Sequence, residues 1–253
     1  MNLVFASGFL VPQQFLGIHY FRGLDAHLAG RHDALFHVVP PIGTSEERAR
    51  ALGDAIQQKF PAGPMHIIAH SMGGLDSRTL IARNHRGLSQ PGRIASLTTL
   101  STPHRGSPVA DLLAGPRPND LRRVIYDGFS QALGGLGIPT GALANLTTGK
   151  ASQVPDVTGS HPHIRYRSYF ASGRAGGPPT SVLLLPTYHY IQEVTGQAND
   201  GVVALESAKY GEFQQPFWPC DHVDMVGHNL DGLDLLGFRF DHFAAIDAAI
   251  NQL

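Results

Sequence analysis

The chain has 253 residues, 42% of them hydrophobic, which is enough for one large core, and we expect a single domain over residues 1–253. Lys plus Arg number 19 against 20 for Asp plus Glu, so the formal net charge of −1 provides no basic field, and no nucleic-acid partner is expected. Cys220 is the only cysteine, which excludes an internal disulfide, and no apolar run reaches the roughly 20 residues that a membrane-spanning helix needs.

The N-terminal segment predicts a strand followed by a loop. Leu3 to Ala6 is an apolar run typical of a buried strand, and Ser7-Gly8-Phe9-Leu10 follows it at the strand's C-terminal end, where α/β sheets place ligands. The first residues lack the basic region of a secretory signal peptide. We therefore expect the chain in the cytoplasm, or secreted with a signal that lies outside this sequence.

Three further elements are predicted in the next part of the chain. Gln14 to Leu28 is apolar and aromatic and predicts a helix, and Val38-Val39 predicts the start of a strand. Thr44 and Glu47 have the spacing of a capping box, in which the two residues satisfy each other's backbone N–H at the start of a helix. Apolar residues at helical spacing then predict that this helix runs to Phe60.

The stretch from Met65 to Leu75 predicts a strand, a sharp turn and a helix. Apolar β-branched residues precede Ser71, and a helical pattern begins at Gly74. Ala69 and Gly73 supply the small side chains that such a turn needs where the strand and the helix nearly touch. The turn lifts the serine hydroxyl clear of the sheet and directs a helix N-terminus at it, so Ser71 is the candidate nucleophile.

The order of the predicted elements indicates the fold class. Leu75 to Arg83 continues the helix after the candidate nucleophile, and Ile94 to Leu100 predicts the next strand. Strands and helices therefore alternate along this part of the chain, which favours an α/β fold with a parallel sheet and crossover helices.

Five motifs stand out along the chain: Leu16-Gly17-Ile18-His19-Tyr20-Phe21, the turn around Ser71, Thr102-Pro103-His104-Arg105-Gly106-Ser107, Asn199-Asp200-Gly201-Val202-Val203 and Asp221-His222-Val223-Asp224. Together they are similar to the motifs of the bacterial true-lipase family of α/β-hydrolases. The resemblance implies an α/β-hydrolase fold, a mostly parallel sheet flanked by helices, with a helical lid or cap insertion. Two positions depart from the family pattern, since Ser7 replaces a common histidine and Ala69 a common glycine, and neither change removes a backbone N–H.

The candidate nucleophile needs two partners. A serine hydroxyl is a weak nucleophile and requires a histidine base, which a carboxylate holds in the right tautomer. α/β-Hydrolases supply these groups in the order Ser, Asp, His. Asp200 lies in an Asn-Asp-Gly turn and His222 on a loop before the last predicted helix, so we expect Ser71, Asp200 and His222 to be the catalytic residues.

Other residues compete for these roles. His228 and His242 are alternatives as the base, although His242 falls on a helical face and His228 lacks the family's motif. Asp221 and Asp224 are alternatives as the acid, but they are so close in sequence to the candidate base that they are poorly placed to reach the ring nitrogen facing away from the serine. His70, next to the nucleophile, is expected to line the site without acting as the base.

Backbone N–H groups are the expected hydrogen-bond donors to a developing oxyanion. One is the N–H of Met72, directly after the nucleophile, and the resemblance places the other at Phe9, in the loop after the first strand. The side chains of these two residues either face an acyl chain or belong to the core, and both interpretations stay open.

Residues 107–158 are a candidate lid or cap insertion within the domain. From Leu121 to Leu136 the pattern predicts an amphipathic helix, glycines flank it, and the resembled family has its lid in this region. A mobile lid would bring the chain into transient contact with a lipid interface, whereas the alternative is a helix packed permanently on the core. The predicted apolar face comprises Leu121, Val124, Ile125, Phe129, Ala132, Leu133 and Leu136.

The sequence therefore predicts a carboxylic-ester hydrolase, a lipase or esterase that acts through an acyl-enzyme on Ser71, with an ester or lipid substrate and no cofactor. An acyltransferase or thioesterase would keep the same triad and differ in the nucleophile or leaving group that meets the acyl-enzyme. A non-catalytic binding protein on this fold is expected to have lost a triad member, and all three are present here.

A metal site is the last expectation that the resemblance raises. Many of the resembled lipases hold a structural calcium ion near the histidine loop, and Asp224 stands where one carboxylate ligand would be. Calcium usually needs more than one carboxylate, yet Arg174 to Ala198, where the family's second aspartate would lie, has Glu193 as its sole acidic residue, on a predicted helix. We therefore predict no tight calcium site and no other metal, with Asp224 fixing the histidine loop by hydrogen bonds.

Overall fold

A computed structural model of the chain describes residues 1–8, 19–38, 43–135, 140–173, 180–228 and 240–253. Within these residues six strands form one sheet: β1 (Asn2–Ala6), β2 (Asp33–His37), β3 (Met65–His70), β4 (Ile94–Leu100), β5 (Arg165–Tyr169) and β6 (Glu212–Phe213). The strand order is β2-β1-β3-β4-β5-β6, and all neighbouring strands are parallel. The predicted parallel α/β architecture is confirmed.

Helices connect the strands and cover both faces of the sheet. None of the helices in the described part of the chain is long and apolar enough to cross a bilayer. Short 3₁₀ turns lie at His85–Gly87, Thr140–Leu146 and Asp224–Val226. The α-helices of the described residues are α1 (Leu24–Leu28), α2 (Ser45–Lys59), α3 (Met72–Arg83), α4 (Pro108–Ala114), α5 (Arg122–Gly135), α6 (Thr148–Ala151), α7 (Leu185–Thr195), α8 (Leu205–Ala208) and α9 (His242–Ile250).

The start of α2 follows the predicted capping box. The Thr44 hydroxyl accepts a hydrogen bond from the Glu47 N–H at 3.2 Å, and the Thr44 N–H donates to the Glu47 carboxylate at 2.8 Å. Two of the backbone N–H groups that a helix start leaves unpaired are thereby satisfied. The helix that follows ends at Lys59, one residue before the predicted end.

Two predicted boundaries are wrong. The strand expected to begin at Val38-Val39 is β2, which ends at His37, because its parallel pairing with β1 joins Asn2 to Asp33 and Ala6 to His37. The helix expected over Gln14 to Leu28 is described only from residue 19, and in that part it is limited to α1. Gly23 precedes α1 with a φ of 70°, a left-handed conformation that a continuous helix would not contain.

The two faces of the sheet bury alternate side chains of the same strands. In β1, Val4 and Ala6 pack against α2 and α3, whereas Leu3 and Phe5 pack against α1 and α9. This alternation is the period of two that a strand imposes, and both sets are fully buried. A central strand buried on both faces reads as a continuous apolar run, which is why β1 was recognisable from sequence.

A buried ion pair fixes α2 to α3. The Arg48 guanidinium contacts the Asp76 carboxylate at 3.0 Å, and both side chains are at most 1% exposed. Burial raises the pKa of Asp76 to about 6 against the attraction of Arg48. Because losing one partner would leave a buried charge unpaired, this contact holds α3, which begins directly after Ser71, in one position on the sheet.

The segment between β4 and β5 covers the C-terminal edge of the sheet. It contains α4, α5, α6 and the 3₁₀ turn Thr140–Leu146, which lie within or beside the predicted insertion 107–158. Its apolar side chains form a cluster with Met72 and Leu75 of α3 and Ile191 of α7. The candidate insertion is therefore packed directly over the helix that begins after Ser71.

Candidate active site

Ser71 occupies a strained turn between β3 and α3. Its φ of 54° and ψ of −128° lie outside the regions that residues with a side chain usually adopt. Its N–H donates to the Leu100 carbonyl at 3.0 Å, and its carbonyl accepts from Gly74 at 3.1 Å. These two bonds hold Ser71 at the N-terminus of α3. The strand, the turn and the helix that the sequence predicts around Ser71 are all found.

The two glycines after Ser71 are required for a different contact from the one that the sequence predicted. A Cβ on Gly73 would lie 2.5 Å from the Ala6 carbonyl oxygen and 2.6 Å from that of Ser7, and a Cβ on Gly74 would overlap the Thr102 side chain. The sequence interpretation placed the close contact between β3 and α3. The structure instead brings the end of β1 against the turn at Ser71, because the strand order places β1 next to β3.

Three of the predicted side chains form one hydrogen-bonded row. The Ser71 Oγ lies 2.9 Å from His222 Nε2, and His222 Nδ1 lies 2.7 Å from Asp200 Oδ2. A carboxylate only accepts, so Nδ1 carries the hydrogen and Nε2 accepts from the serine hydroxyl. All three residues are at most 2% exposed.

Backbone hydrogen bonds set the position of Asp200. Its Oδ1 accepts from the N–H groups of Val202 at 2.9 Å and Val203 at 2.7 Å, which leaves Oδ2 for the histidine. Gly201 has a φ of 89°, and a Cβ there would lie 2.8 Å from the Leu184 side chain. The Asn-Asp-Gly sequence therefore forms a tight turn that directs one carboxylate oxygen of Asp200 at the His222 ring.

The loop that carries His222 is fastened through Asp221. The buried Asp221 carboxylate accepts from Ser181 at 2.7 Å and from Val223 and Asp224 at 3.0 Å. Burial raises its pKa to about 6. The Asp224 carboxylate accepts from the Asp221 N–H at 3.2 Å, so both alternative acids are bonded to backbone N–H groups of the loops around the ring.

The alternative bases make hydrogen bonds elsewhere. His228 Nε2 donates to the Tyr20 carbonyl at 2.6 Å, and His242 Nε2 donates to the Arg22 carbonyl at 2.9 Å. Burial lowers the pKa of both imidazoles. Neither ring is therefore placed beside Ser71 as His222 is.

Comparisons with known proteins bear on the family. A sequence model described as alpha/beta hydrolase fold matches residues 43–140. The chain is 33% identical over 83% of its length to triacylglycerol lipase 2 of Saccharomyces cerevisiae, and spans 63% of that protein. It is 26% identical over 85% of its length to a triacylglycerol lipase of Pseudomonas fragi, covering 83% of it. The crystal structure of Staphylococcus hyicus lipase superimposes with a TM-score of 0.67 and 20% identity over 99% of this chain and 94% of that one.

The chain has the α/β-hydrolase fold. The resemblance drawn from the motifs is confirmed by these relatives, which match most of the chain. The chain spans less than two thirds of the yeast relative's length, so that protein has sequence with no counterpart here.

The two expected oxyanion donors differ in how far they are described. Met72 is the first residue of α3, and its fully buried side chain packs with Leu75, which favours the core interpretation of that side chain. Phe9 lies outside the described residues. Gly8, which precedes it, is packed on the nucleophile, since a Cβ on Gly8 would lie 2.6 Å from Ser71 Cβ.

A small apolar cavity of this α/β-hydrolase adjoins the nucleophile. It leaves about 20 Å³ of free volume, room for about one water molecule, whereas ligand pockets usually have at least about 300 Å³. Phe129 of α5 forms part of its wall. In the described part of the chain, α5 therefore borders the space next to Ser71. The lining residues are Ser71, Pro103, Ser107, Val109, Ala110, Phe129, Leu143, Leu146 and Val202.

Sequence reasoning missed the residues that brace the loop after β4. Arg78 Nη1 donates to His104 Nδ1 at 3.1 Å, so the neutral ring donates from Nε2 to Thr99 Oγ1, also at 3.1 Å. Ser107, further along the loop, donates to the Val202 carbonyl at 2.6 Å. The Pro-His-Arg-Gly-Ser motif was the sequence signal that could have identified these residues. Its buried histidine, His104, fixes a loop that contacts the turn of Asp200 through Ser107.

The expectation about calcium stays a prediction. The predicted helix around Glu193 is confirmed as α7. Among the described residues no three His, Cys, Asp or Glu side chains are grouped so that they could hold a metal ion. EDTA is expected to leave both activity and melting temperature unchanged, and loss of both with recovery on adding calcium would contradict this.

Proposed function

We propose that the chain is a carboxylic-ester hydrolase that works through an acyl-enzyme on Ser71. The observation that carries this proposal is the buried row of hydrogen bonds from Ser71 through His222 to Asp200. Its relatives named triacylglycerol lipase support the same class of substrate, an ester of a fatty acid.

The hydrogen-bond directions define the proposed steps. His222 Nε2 takes the proton of the Ser71 hydroxyl as the serine oxygen attacks the ester carbonyl, and then donates it to the leaving alkoxide. Water deprotonated by the same nitrogen attacks the acyl-enzyme carbonyl, and Nε2 then returns the proton to the Ser71 oxygen as the acid is released. The developing oxyanion accepts hydrogen bonds from the N–H groups of Met72 and, as the resemblance implies, Phe9.

Asp200 serves the base in this proposal. Its Oδ2 accepts the Nδ1 hydrogen, which keeps Nε2 free to accept and stabilises the imidazolium that forms. Two backbone N–H groups on its other oxygen keep the carboxylate from turning away. All proposed steps use groups of this chain alone.

The region above the site suggests how a lipid ester would enter. Leu121 and Val124, at the N-terminal end of the cap helix α5, are 89% and 70% exposed, and the exposed Val182 and Leu183 precede α7, which contacts α5. Large apolar side chains in water favour contact with an apolar surface. We propose that α5 moves within the segment 107–158 to admit the acyl chain, and that these side chains then meet the lipid.

The function is tested with p-nitrophenyl esters of rising acyl length and a fluorophosphonate probe. The probe is expected to label Ser71, and Ser71→Ala is expected to lose both labelling and turnover. His228→Ala, which removes an imidazole bonded to a backbone carbonyl, tests the assignment of the base. Full activity in Ser71→Ala would overturn the proposal, and His228→Ala being as inactive as His222→Ala would overturn the assignment of the base.

A further inference from the structure

A second row of buried hydrogen bonds passes behind the nucleophile. The Tyr20 hydroxyl lies 2.6 Å from His70 Nδ1, and His70 Nε2 lies 2.9 Å from the main-chain carbonyl oxygen of His222. Gly8 is packed against the Tyr20 hydroxyl, since a Cβ on Gly8 would lie 2.5 Å from the Tyr20 oxygen. His70 precedes Ser71 in the chain, so one side chain next to the nucleophile touches both the segment of Tyr20 and the backbone of the candidate base.

The direction of each hydrogen bond follows from the groups involved. A carbonyl oxygen only accepts, so His70 Nε2 carries a hydrogen and donates to His222. In a neutral imidazole the other nitrogen accepts, so the Tyr20 hydroxyl donates to His70 Nδ1. The row therefore runs in one sense from Tyr20 through His70 to His222.

Both side chains in the row are neutral. Burial lowers the pKa of His70 well below its usual value, and the neighbouring rings of His222 and His228 lower it further. Burial also raises the pKa of Tyr20 above its usual value. The ring centroids of His70 and His222 are 4.6 Å apart, so a charged His70 would repel the imidazolium that forms on His222 during the proposed reaction.

We propose that His70 is a positioning residue that holds the backbone of the base and, through Tyr20, the loop of Gly8 in one arrangement around Ser71. This inference rests on the proposed function, because it assigns His70 a role in the same reaction. His70 and Tyr20 are not proposed to touch the substrate, since their side-chain polar atoms are bonded to each other and to His222, and Gly8 covers the Tyr20 hydroxyl.

The packing around Gly8 makes this arrangement tight. A Cβ on Gly8 would lie 2.5 Å from the Tyr20 hydroxyl oxygen and 2.6 Å from Ser71 Cβ, so the loop, the tyrosine and the nucleophile meet without spare room. The N–H of Phe9, the expected oxyanion donor, belongs to the peptide unit that follows Gly8. Close packing of Gly8 between Tyr20 and Ser71 therefore restricts where that peptide unit can begin.

The segment of Tyr20 is also bonded to the histidine loop. The Tyr20 carbonyl accepts from His228 Nε2 at 2.6 Å, and the Arg22 N–H donates to the Val226 carbonyl at 3.0 Å. Tyr20 thus links the start of the chain to the loop that carries the base by its backbone, and to the nucleophile's neighbour by its hydroxyl. This is a reason for the Leu-Gly-Ile-His-Tyr-Phe motif to contain a tyrosine.

Two substitutions of His70 separate the two arms of the row. In His70→Gln the amide nitrogen can reach the position of Nε2 and donate to His222, but nothing accepts from Tyr20. In His70→Asn the amide oxygen can take the position of Nδ1 and accept from Tyr20, but nothing donates to His222. Tyr20→Phe removes the hydroxyl alone. The matched control is Tyr210→Phe, because the buried Tyr210 hydroxyl likewise donates to a side chain, that of Asp156, and also accepts from the N–H of Val157.

The measurements are kcat and KM on a soluble short-chain p-nitrophenyl ester, Tm, and inhibition by a boronic acid that forms a tetrahedral adduct with serine. Tyr20→Phe, His70→Gln and His70→Asn are each expected to lower kcat by about 10-fold to 100-fold with KM changed less than about threefold. Tyr20→Phe and His70→Gln are also expected to weaken the boronic acid by about the factor lost in kcat. Tyr210→Phe is expected to lower Tm comparably and leave kcat unchanged.

Combining the substitutions tests the row as a unit. Adding Tyr20→Phe to His70→Gln is expected to cost no further activity, because both break the same hydrogen bond, whereas adding it to His70→Asn is expected to multiply the two losses. If kcat falls no more in the Tyr20 and His70 variants than in Tyr210→Phe, the positioning role is wrong. The proposed function fails separately, when Ser71→Ala keeps its turnover.

Discussion

Ser71 and Phe129 of α5 line the same cavity, but the candidate catalytic groups and α5 are held in different ways. Ser71, Asp200 and His222 are at most 2% exposed, and each is fixed by buried hydrogen bonds to backbone or to another of the three. Along α5 only Leu133 is buried among the side chains that the structure describes. Exposed ion pairs such as Arg117 with Asp127, at 2.7 Å, complete its contacts.

The two regions differ in the free energy that it costs to break the polar contacts holding them in place. Breaking a buried hydrogen bond costs about 1–3 kcal/mol when one group is left unsatisfied, whereas an exposed ion pair contributes about 0–1 kcal/mol. The polar contacts that α5 would break on moving are therefore weaker than those of the loops below it. Chemistry at a serine needs atoms held within a fraction of an ångström, and admission of a long substrate needs a wall that moves.

The largest expected effects come from the hydrogen-bonded row. Ser71→Ala and His222→Ala are each expected to lower kcat by about 10⁴-fold or more, and the double variant is expected to be no worse than either alone, because the groups act as a unit. Asp200→Asn is expected to lower kcat by about 10³-fold to 10⁴-fold. Steady-state kinetics with a soluble ester measures all four. Losses that multiply in the double variant would show that Ser71 and His222 do not act together.

A pair of glycine substitutions compares the two regions directly. Gly73→Ala places a methyl group 2.5 Å from a backbone oxygen of β1 and is expected to lower kcat by about 100-fold and the free energy of unfolding by about 1–3 kcal/mol. Gly128, inside α5, has nothing within 4 Å of an added Cβ, so Gly128→Ala is expected to raise the free energy of unfolding by about 0.5–1 kcal/mol. Urea unfolding and kcat together make the comparison. Equal effects at the two sites would contradict the contrast.

Two carboxylates extend the comparison to pH. The pKa of Asp221 is about 6 in the folded state against an ordinary 3.8, so between these values the folded state binds the proton more tightly than the unfolded state. This group therefore lowers the free energy of unfolding as the pH rises from about 4 to about 6. Relative to Asp221→Asn, the wild type is expected to gain about 2 kcal/mol between pH 7 and pH 4.5.

Asp127 of α5 is the control for this titration. Its hydrogen bond with Arg117 lowers the pKa of the Asp127 carboxyl, so its contribution is present above the ordinary pKa and is lost only as pH falls through the lower, folded value. The difference between wild type and Asp127→Asn is therefore expected to stay flat from pH 7 to pH 4.5, as measured by urea unfolding. If the difference between wild type and Asp221→Asn is flat as well, the pKa of the Asp221 carboxyl is not raised in the folded state.

Local turn chemistry explains why so much of the site could be predicted. The sharp turn at Ser71 and the Asn-Asp-Gly turn at Asp200 depend on residues adjacent in sequence, and the apolar run of β1 depends on alternation within one strand. These signals suffice for the fold class and for Ser71, whereas Asp200 and His222 also required the order Ser, Asp, His that the resembled fold supplies. The structure places the three side chains within hydrogen-bonding distance.

Contacts between distant segments could not be predicted in the same way. The partners of His70 lie 50 and 152 residues away in sequence, and which nitrogen donates depends on what each segment presents once folded. The need for Gly73 comes from β1, which is its neighbour only because of the strand order. The boundary of β2 was missed for the same reason, since its register is set by pairing with β1.

The smallest expected effect on stability belongs to the exposed end of α5, and it separates a mobile lid from a fixed cap. Leu121→Gln and Val124→Gln are expected to change the free energy of unfolding by less than about 0.5 kcal/mol, because both side chains are largely in water. If these side chains meet lipid when α5 moves, each variant should lose several-fold in activity on an emulsified long-chain triacylglycerol. The same variants on a soluble short-chain ester are the control, where no loss is expected because no interface forms. Unchanged activity of both variants on both substrates would mean that these side chains do not meet the lipid, as expected if α5 is a fixed cap.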